Sequence, residues 1–265
     1  MSKKEPSDSF AKLVQTIATL RSPQGCPWDR AQSHASLKPY LIEECYEVME
    51  TLDSGDMKKL CEELGDLLLQ IMLHSQIATD EGHFDIGAVI EGIDAKLKRR
   101  HPHVFGDAEA KDAQEVAVRW EALKRDERGD ESLLSGLPKG MPSLSYGQAI
   151  QRRAAGVGFD WKEEEDIIEK VAEEARELQQ ATDDQAVADE FGDLLFSLAN
   201  VARRRGIDLE AALRGTNERF RQRFQYMEEL ARQRGMSMDK MSLEELDSLW
   251  NEAKRALSSG RGERI

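Results

Sequence analysis

A chain of 265 residues with 40% hydrophobic but only 6% aromatic side chains can bury two modest cores, and it suits helices better than a β-sandwich. Its formal net charge of −14 argues against a broad nucleic-acid or anionic-membrane surface, although a bound cation can still make room for a small phosphorylated ligand. MSKKEPSDSF at the N-terminus lacks the apolar run of a secretory signal, and no apolar stretch is long enough to span a bilayer. A cytoplasmic protein with no nucleic-acid or membrane partner is therefore expected. Cys26, Cys45 and Cys61 form no C-x-x-C pair, and Cys45 and Cys61 are expected on apolar helix faces as buried free thiols.

In chain order, Asp8 or Ser9 is expected to cap a first helix carrying Phe10, Leu13, Val14, Ile17 and Leu20 at helical period. The segment SPQGCPWD stops it through Pro23, Gly25 and Pro27. Helix resumes over Leu37 to Leu52 with Leu41, Cys45, Val48 and Leu52 as its stripe, and ends at Ser54-Gly55-Asp56. Leu60 to about Ala78 follows, with Leu60, Leu64, Leu67, Leu68 and Ile71 expected inward. Ile86 to Arg100 forms an amphipathic helix stopped by His101-Pro102-His103, and Gln114 to Arg128, containing Trp120, is expected to be helical again. Nothing alternates like a strand for long, so the fold class is all-α. Gly129, Gly136, Pro138, Gly140 and Pro142 mark a connection, placing a first module at 1–135, a linker at 136–147 and a second module at 148–265, whose helices return at Gln148 and pause at GVGFDW.

The two halves share their order of features. Pro27-Trp28-Asp29 is echoed by Phe159-Asp160-Trp161, Glu44 and Glu47 by Glu174 and Glu177, and GDLLLQ by GDLLFS. Lys96 and Arg100 match Arg219 and Arg223, and Trp120 matches Trp250. The chain is a tandem duplication of one helical module.

Chemistry concentrates in the duplicated acids. Glu44 and Glu47 lie three apart on one helix and Glu63 and Asp66 three apart on the next; Glu174, Glu177, Glu190 and Asp193 repeat the pattern. Each pair borders an apolar stripe, so the carboxylates can meet at a helix–helix seam, where unpaired anions repel. A hard divalent cation relieves that repulsion, and Mg2+ takes a few carboxylates together with water and phosphate. One such pair alone is more often solvated surface; matched tetrads in two copies favour the metal. Arg219 and Arg223, four apart, suit phosphate oxygens, and Lys170, one turn before Glu174, adds a point charge. Trp250 can stack a base or simply pack with Leu246 and Leu249, and both roles stay open at this stage. Trp28 and Trp161 read as packing anchors. There is no P-loop, no E-x-x-H, no zinc-like histidine spacing and no G-x-S-x-G.

In combination, GCPWDRAQSH, EECYEV, ELGDLLLQ and KLKRRHPHVFGD closely resemble the MazG nucleoside triphosphate pyrophosphohydrolases, and RAAGVGFDW, EEARE, DEFGDLLF and NERFRQRF resemble the second module of the two-module bacterial form. The resemblance runs from Phe10 to about Leu257. It implies tandem modules of the all-α NTP pyrophosphatase type, a homodimer, and Mg2+-dependent hydrolysis, with Mn2+ as a substitute, of a nucleoside triphosphate to monophosphate and diphosphate. Carried over by residue, Glu174, Glu177, Glu190 and Asp193 hold the metal, and Lys170, Glu173, Asp189, Arg219, Arg223 and Trp250 contact the nucleotide. By the repeat, Glu44, Glu47, Glu63 and Asp66 form the first module's metal set. Similar proteins tend to have Lys and Glu where this chain has Arg219 and Asp189, which bears on selectivity. Two other readings compete: a catalytically silent acidic scaffold, and a narrow dUTP or dCTP pyrophosphatase. The absence of a base-selective motif favours breadth.

Overall fold

The computed structural model describes residues 5–112 and 132–259 and, between them, residues 115, 116, 119, 120, 123, 124, 127 and 129. Among these residues there is no strand, and the fold is all-α. The chain divides into two compact units, residues 1–120 and 121–265.

In the first unit, α1 (Pro6–Arg21) starts with proline in its first turn, where the missing N–H costs nothing, rather than at an Asp8 or Ser9 cap. The expected break at Pro23 is real, yet Pro27 then opens a short α2 (Pro27–Ala31) that carries Trp28. Next, α3 (Lys38–Ser54) ends at Gly55, whose φ of +73° is the left-handed conformation that glycine adopts without penalty. Asp56 caps α4 (Met57–Asp80) by accepting from the backbone N–H groups of Lys58 and Lys59. Asp85 caps α5 (Ile86–Arg100), and Pro102 begins the single-turn α6 (Pro102–Phe105). Ile17, Leu37, Met72, Leu73 and Ile77 form the core, flanked by Phe10, Leu13, Val14, Leu20, Leu68, Leu69 and Ile86. Of the expected helix Gln114 to Arg128, Gln114 and Arg128 lie outside the described residues, and 115, 116, 119, 120, 123 and 124 have helical backbone.

In the second unit, α7 (Ser143–Ala155) begins inside the segment expected to be linker. It is followed by α8 (Glu164–Gln180), α9 (Asp184–Arg204), α10 (Leu209–Gln233), a 3-10 turn (Met238–Lys240) and α11 (Leu243–Ser259). Asp183 and Asp208 cap α9 and α10 through the N–H groups of Ala186 and Ala211, both at 2.9 Å. Helix α9 packs on both α8 and α7, as α4 packs on α3 and α1. Met227, Ala231, Leu249 and Ala253 make a separate core between α10 and α11. The turn between α7 and α8 is tied to the end of α9: Arg203 reaches Asp160, Arg204 the carbonyls of Trp161 and Lys162, and Arg205 the Glu164 carboxylate.

Three packing expectations need correction. Cys45 and Cys61 are exposed rather than buried. Leu52, Leu64 and Ile71 are exposed, and the residues of α3 and α4 that turn inward include Thr51, Glu63, Gln70, Leu73 and Ile77. Trp28 and Trp161 anchor no core, being 52% and 42% exposed. The first two share a cause. Helices α3 and α4 carry apolar residues on two faces, one packed within the unit and one uncovered, and periodicity alone does not say which is which. Truncating a residue of the packed face is expected to be severe: Ile77→Ala should destabilise the first unit by about 2–5 kcal/mol, read as a lowered denaturant midpoint.

Candidate metal centre

Helix pairing brings the acids together in both units. In the first, Glu44, Glu63 and Asp66 each offer a carboxylate oxygen, and these oxygens all lie within 4.8 Å of one another. Glu47 stands outside that trio but within hydrogen-bonding reach of both Glu44 and Glu63. In the second, Glu174, Glu177 and Glu190 form the close trio, and Asp193, exposed on α9, acts on Glu190 electrostatically from beside it. Each cluster has one deeply buried member on the seam, Glu63 at 8% exposed and Glu174 at 4%.

Burial and mutual repulsion show in the acidities. Burial pushes Glu190 above the ordinary carboxylate pKa, and the charges of Glu177, Glu174, Asp193 and Asp189 push it further. Glu44 rises through burial, then through Asp66 and Glu47. Glu63 rises through burial and Glu47, with Lys59, 3.7 Å from its carboxylate, partly opposing. Carboxylates that resist ionising beside one another are a donor set for a hard divalent cation, which takes oxygen ligands and removes the repulsion.

The basic residues divide. Lys170 sits at the edge of the second cluster, its Nζ 2.8 Å from Glu174 and 2.9 Å from Glu173, and these two hydrogen bonds hold its pKa well above the usual lysine range. Asp189 accepts from Gln185 at 2.9 Å. Arg219 and Arg223 share one face of α10 and line a small cleft with Gln222, Leu257 and Ser258. Arg219 donates to Thr216, and the Arg223 guanidinium lies 5.5 Å from the centre of the Trp250 ring. Trp250 also meets Phe220 and flanks the α10–α11 core. Among the described residues, no hydrogen bond or ion pair joins Arg219, Arg223 or Trp250 to the acids of α8 and α9. The repeat extends to this stack, because Arg100 lies 5.2 Å from the Trp120 ring in the first unit.

Sequence spacing missed the histidines. His34 and His74, far apart in the chain, stack with their Nδ1 atoms 2.7 Å apart, and burial, then His34, lowers the pKa of His74. His101 Nδ1 lies 2.7 Å from the Leu97 carbonyl and the ring sits edge-on to Trp120, a structural post at the end of α5. No local signal marks the His34–His74 pair, which only the docking of the α2–α3 segment on α4 creates.

Two repeated helical units, each with a seam of carboxylates that suits a divalent cation, define an all-α protein with a candidate metal centre in each copy. The comparisons with known proteins narrow it. Residues 32–105 match the profile of the MazG nucleotide pyrophosphohydrolase domain, and residues 147–220 that of phosphoribosyl-ATP pyrophosphohydrolase. The chain is 45% identical to the nucleoside triphosphate pyrophosphohydrolase/pyrophosphatase MazG of Thermotoga maritima, over 95% of this chain and 98% of that protein. It is 42% identical to the nucleoside triphosphate pyrophosphohydrolase of Escherichia coli K12, over 92% and 96%. It is 49% identical to the uncharacterized protein YabN of Bacillus subtilis, over 92% of this chain and 51% of that one. The chain belongs to the MazG family of nucleotide pyrophosphohydrolases.

The raised pKa values of these carboxyls fix the sign of a stability effect. A carboxyl whose folded pKa exceeds its unfolded one binds more protons when folded, so its contribution is present at low pH and is lost as pH rises through the folded value. At neutral pH without metal, the cluster therefore opposes folding. Glu190→Gln is expected to raise the melting temperature in EDTA by a few degrees and to weaken the stabilisation given by added MgCl2, both read in thermal melts across pH.

Proposed function

We propose that the second unit hydrolyses nucleoside triphosphates at the bond between the α- and β-phosphates, giving nucleoside monophosphate and diphosphate. The observation that carries this is the convergence of the Glu174, Glu177 and Glu190 oxygens within 4.8 Å with Lys170 hydrogen-bonded at their edge. Glu174, Glu177, Glu190 and Asp193 would hold Mg2+, for which Mn2+ can substitute. When bound, the ion would supply charge neutralisation on the polyphosphate oxygens and lower the pKa of a coordinated water.

The remaining work falls to the chain itself. Buried Glu174 fixes one wall of the site, and a carboxylate of the cluster takes the proton of the attacking water. Lys170, kept charged by Glu173 and Glu174, offers a preorganised cation to developing phosphate charge. Arg219 and Arg223 present planar, multidentate donors suited to the departing diphosphate. Glu173 and Asp189 complete the polar rim by orienting Lys170 and Gln185. Base preference is broad, since nothing in the sequence selects one base, and the physiological role is removal of unwanted nucleotides. The first unit repeats the acids, but Tyr40 stands where the second has Lys170, so we assign turnover to the second.

A homodimer completes the fold. With Glu63 aligned to Glu190, Leu64 and Ile71 of α4 correspond to Phe191 and Leu198 of α9, and all four are exposed. The same uncovered apolar stripe in both copies is what a second protomer would bury.

Glu174→Gln or Glu190→Gln should lower diphosphate release by at least about a hundredfold with the helical circular dichroism intact. Glu44→Gln should leave more than half of it. Equal losses from both units would show two working sites, and no loss from either would leave an acidic scaffold. Phe191→Glu combined with Leu198→Glu should shift the sedimentation profile from dimer towards monomer.

A further inference from the structure

The far end of the first unit gathers a different set of donors, well away from the carboxylate seam. Glu81 and His83 follow the last turn of α4, and His34 lies in the turn before α3. Glu81 Oε2 stands 3.7 Å from His83 Nε2 and 4.0 Å from His34 Nε2. These separations are too long for hydrogen bonds. They approach the spacing of about 3.3 Å that two donors take when each lies about 2.0 Å from a tetrahedral ion. Glu81 is fifteen residues beyond Asp66, about 22 Å at 1.5 Å per residue, so no acid of the seam can share an ion with it.

Both walls of this group are held by their backbones. Gly82, at φ +75°, closes α4, with the His83 N–H on the Ala78 carbonyl at 2.9 Å and its own N–H on the Thr79 carbonyl at 3.0 Å. The Thr79 hydroxyl donates to the Phe84 carbonyl at 3.1 Å, which fixes the chain just past His83. The neighbouring Asp80 carboxylate is taken by Arg21 and Gln76, both at 2.8 Å. Across from it, the Ser33 and Ser36 hydroxyls accept each other's backbone N–H groups and hold His34 in its turn.

His74 sets the tautomer of His34. Their Nδ1 atoms are 2.7 Å apart, which leaves room for a single proton between the rings. His74 Nε2 and Gln70 Oε1, one turn apart on α4, are both buried without a hydrogen-bond partner. Were the shared proton on His74, its Nε2 would be a bare acceptor one turn from another bare acceptor. With the proton on His34, His74 Nε2 carries a hydrogen instead, and a donor stands beside the amide oxygen at lower cost. That arrangement leaves His34 Nε2 as a lone pair next to the Glu81 carboxylate, a repulsive neighbour until a cation lies between them. Metal-binding imidazoles are held in the same way, with the outer N–H donated to a fixed partner.

We propose that His34 Nε2, Glu81 and His83 Nε2 form a metal site of a second kind, for a borderline divalent ion of the zinc, cobalt and nickel class. Two imidazoles and a carboxylate suit such ions, whereas Mg2+ takes oxygen. His83, 67% exposed, is the arm that swings onto the ion, and water takes the fourth position. The ion would clamp the turn before α3 to the end of α4. Neither the ion nor its site depends on the triphosphate reading.

The test is calorimetric titration of metal-stripped protein with ZnCl2 in excess MgCl2, which competes for the carboxylate seams. Native protein should take up one equivalent of Zn2+. His83→Ala and Glu81→Gln, both at exposed side chains whose change does not threaten folding, should each weaken uptake at least about tenfold, the loss that removing even an outer partner brings. Glu44→Gln combined with Glu63→Gln should leave it unchanged. In histidine-ring NMR, Zn2+ should shift the Nε2 signals of His34 and His83 while His34 keeps its proton on Nδ1. No uptake by native protein overturns the site. Equal uptake by His83→Ala, or a loss confined to the Glu44→Gln and Glu63→Gln protein, places the ion elsewhere and overturns it as well, whether or not nucleotides are hydrolysed.

Discussion

Glu174 and Glu63 are each shut into a helix seam with other carboxylates at their side, and that crowding organises what surrounds them. Two helices could meet there more stably through leucines. Instead, the seam of α8 and α9 gathers Glu174, Glu177 and Glu190 within 4.8 Å, and α3 and α4 do the same with Glu44, Glu63 and Asp66. Burial and then mutual repulsion raise the pKa of Glu44, Glu63 and Glu190, and at Glu63 the Lys59 ammonium partly opposes the rise. Such an arrangement persists because the rest of each unit holds it: the apolar core behind α4, the capped starts of α4 and α9, and the arginine ties at the end of α9. Strain concentrated at one place and offset elsewhere is how a site for a missing charge is built.

The acids also explain why so much apolar surface stays uncovered. A helix that spends one flank on carboxylates and another on its own core has only a third left for a partner. On α4 that third flank carries Leu64 and Ile71, and on α9 Phe191 and Leu198. Both copies expose it at matched positions, and it is this stripe that the proposed dimer would bury.

Much of this was legible in the sequence, for physical reasons that differ by feature. Helix ends at Gly55, Asp56, Asp85 and Pro102 follow from local backbone chemistry and need no tertiary information. The acid tetrads were legible because the spacing of three is fixed by helix geometry and because they occur twice. Which apolar face turns inward was not legible: Cys45, Leu52, Leu64 and Ile71 look like core to any periodicity argument, and only the docking of neighbouring helices decides. The His34–His74 stack and the orphaned Gln151 acceptor likewise arise from segments that meet in space and leave no trace in local pattern.

Duplication makes the two units an internal comparison, in which shared features report the fold and divergent ones report the task. Shared are the acids, the buried apolar residue seven before the first of them (Leu37 and Ile167), and the arginine stacked on a late tryptophan. Divergent are Tyr40 against Lys170, Leu73 against Asn200, and a packed core against a cavity with an unpaired amide oxygen, the Gln151 Oε1. At the aligned positions the second unit carries polar groups, Lys170 paired with Glu173 and Glu174 and Asn200 accepting from Arg203, where the first has Tyr40 and Leu73. A fold under selection for stability alone would move the other way, filling the cavity with leucine and pairing or deleting the amide. The direction of the difference is what supports the proposal that turnover belongs to the second copy, while the first keeps the acids and the more conventional core.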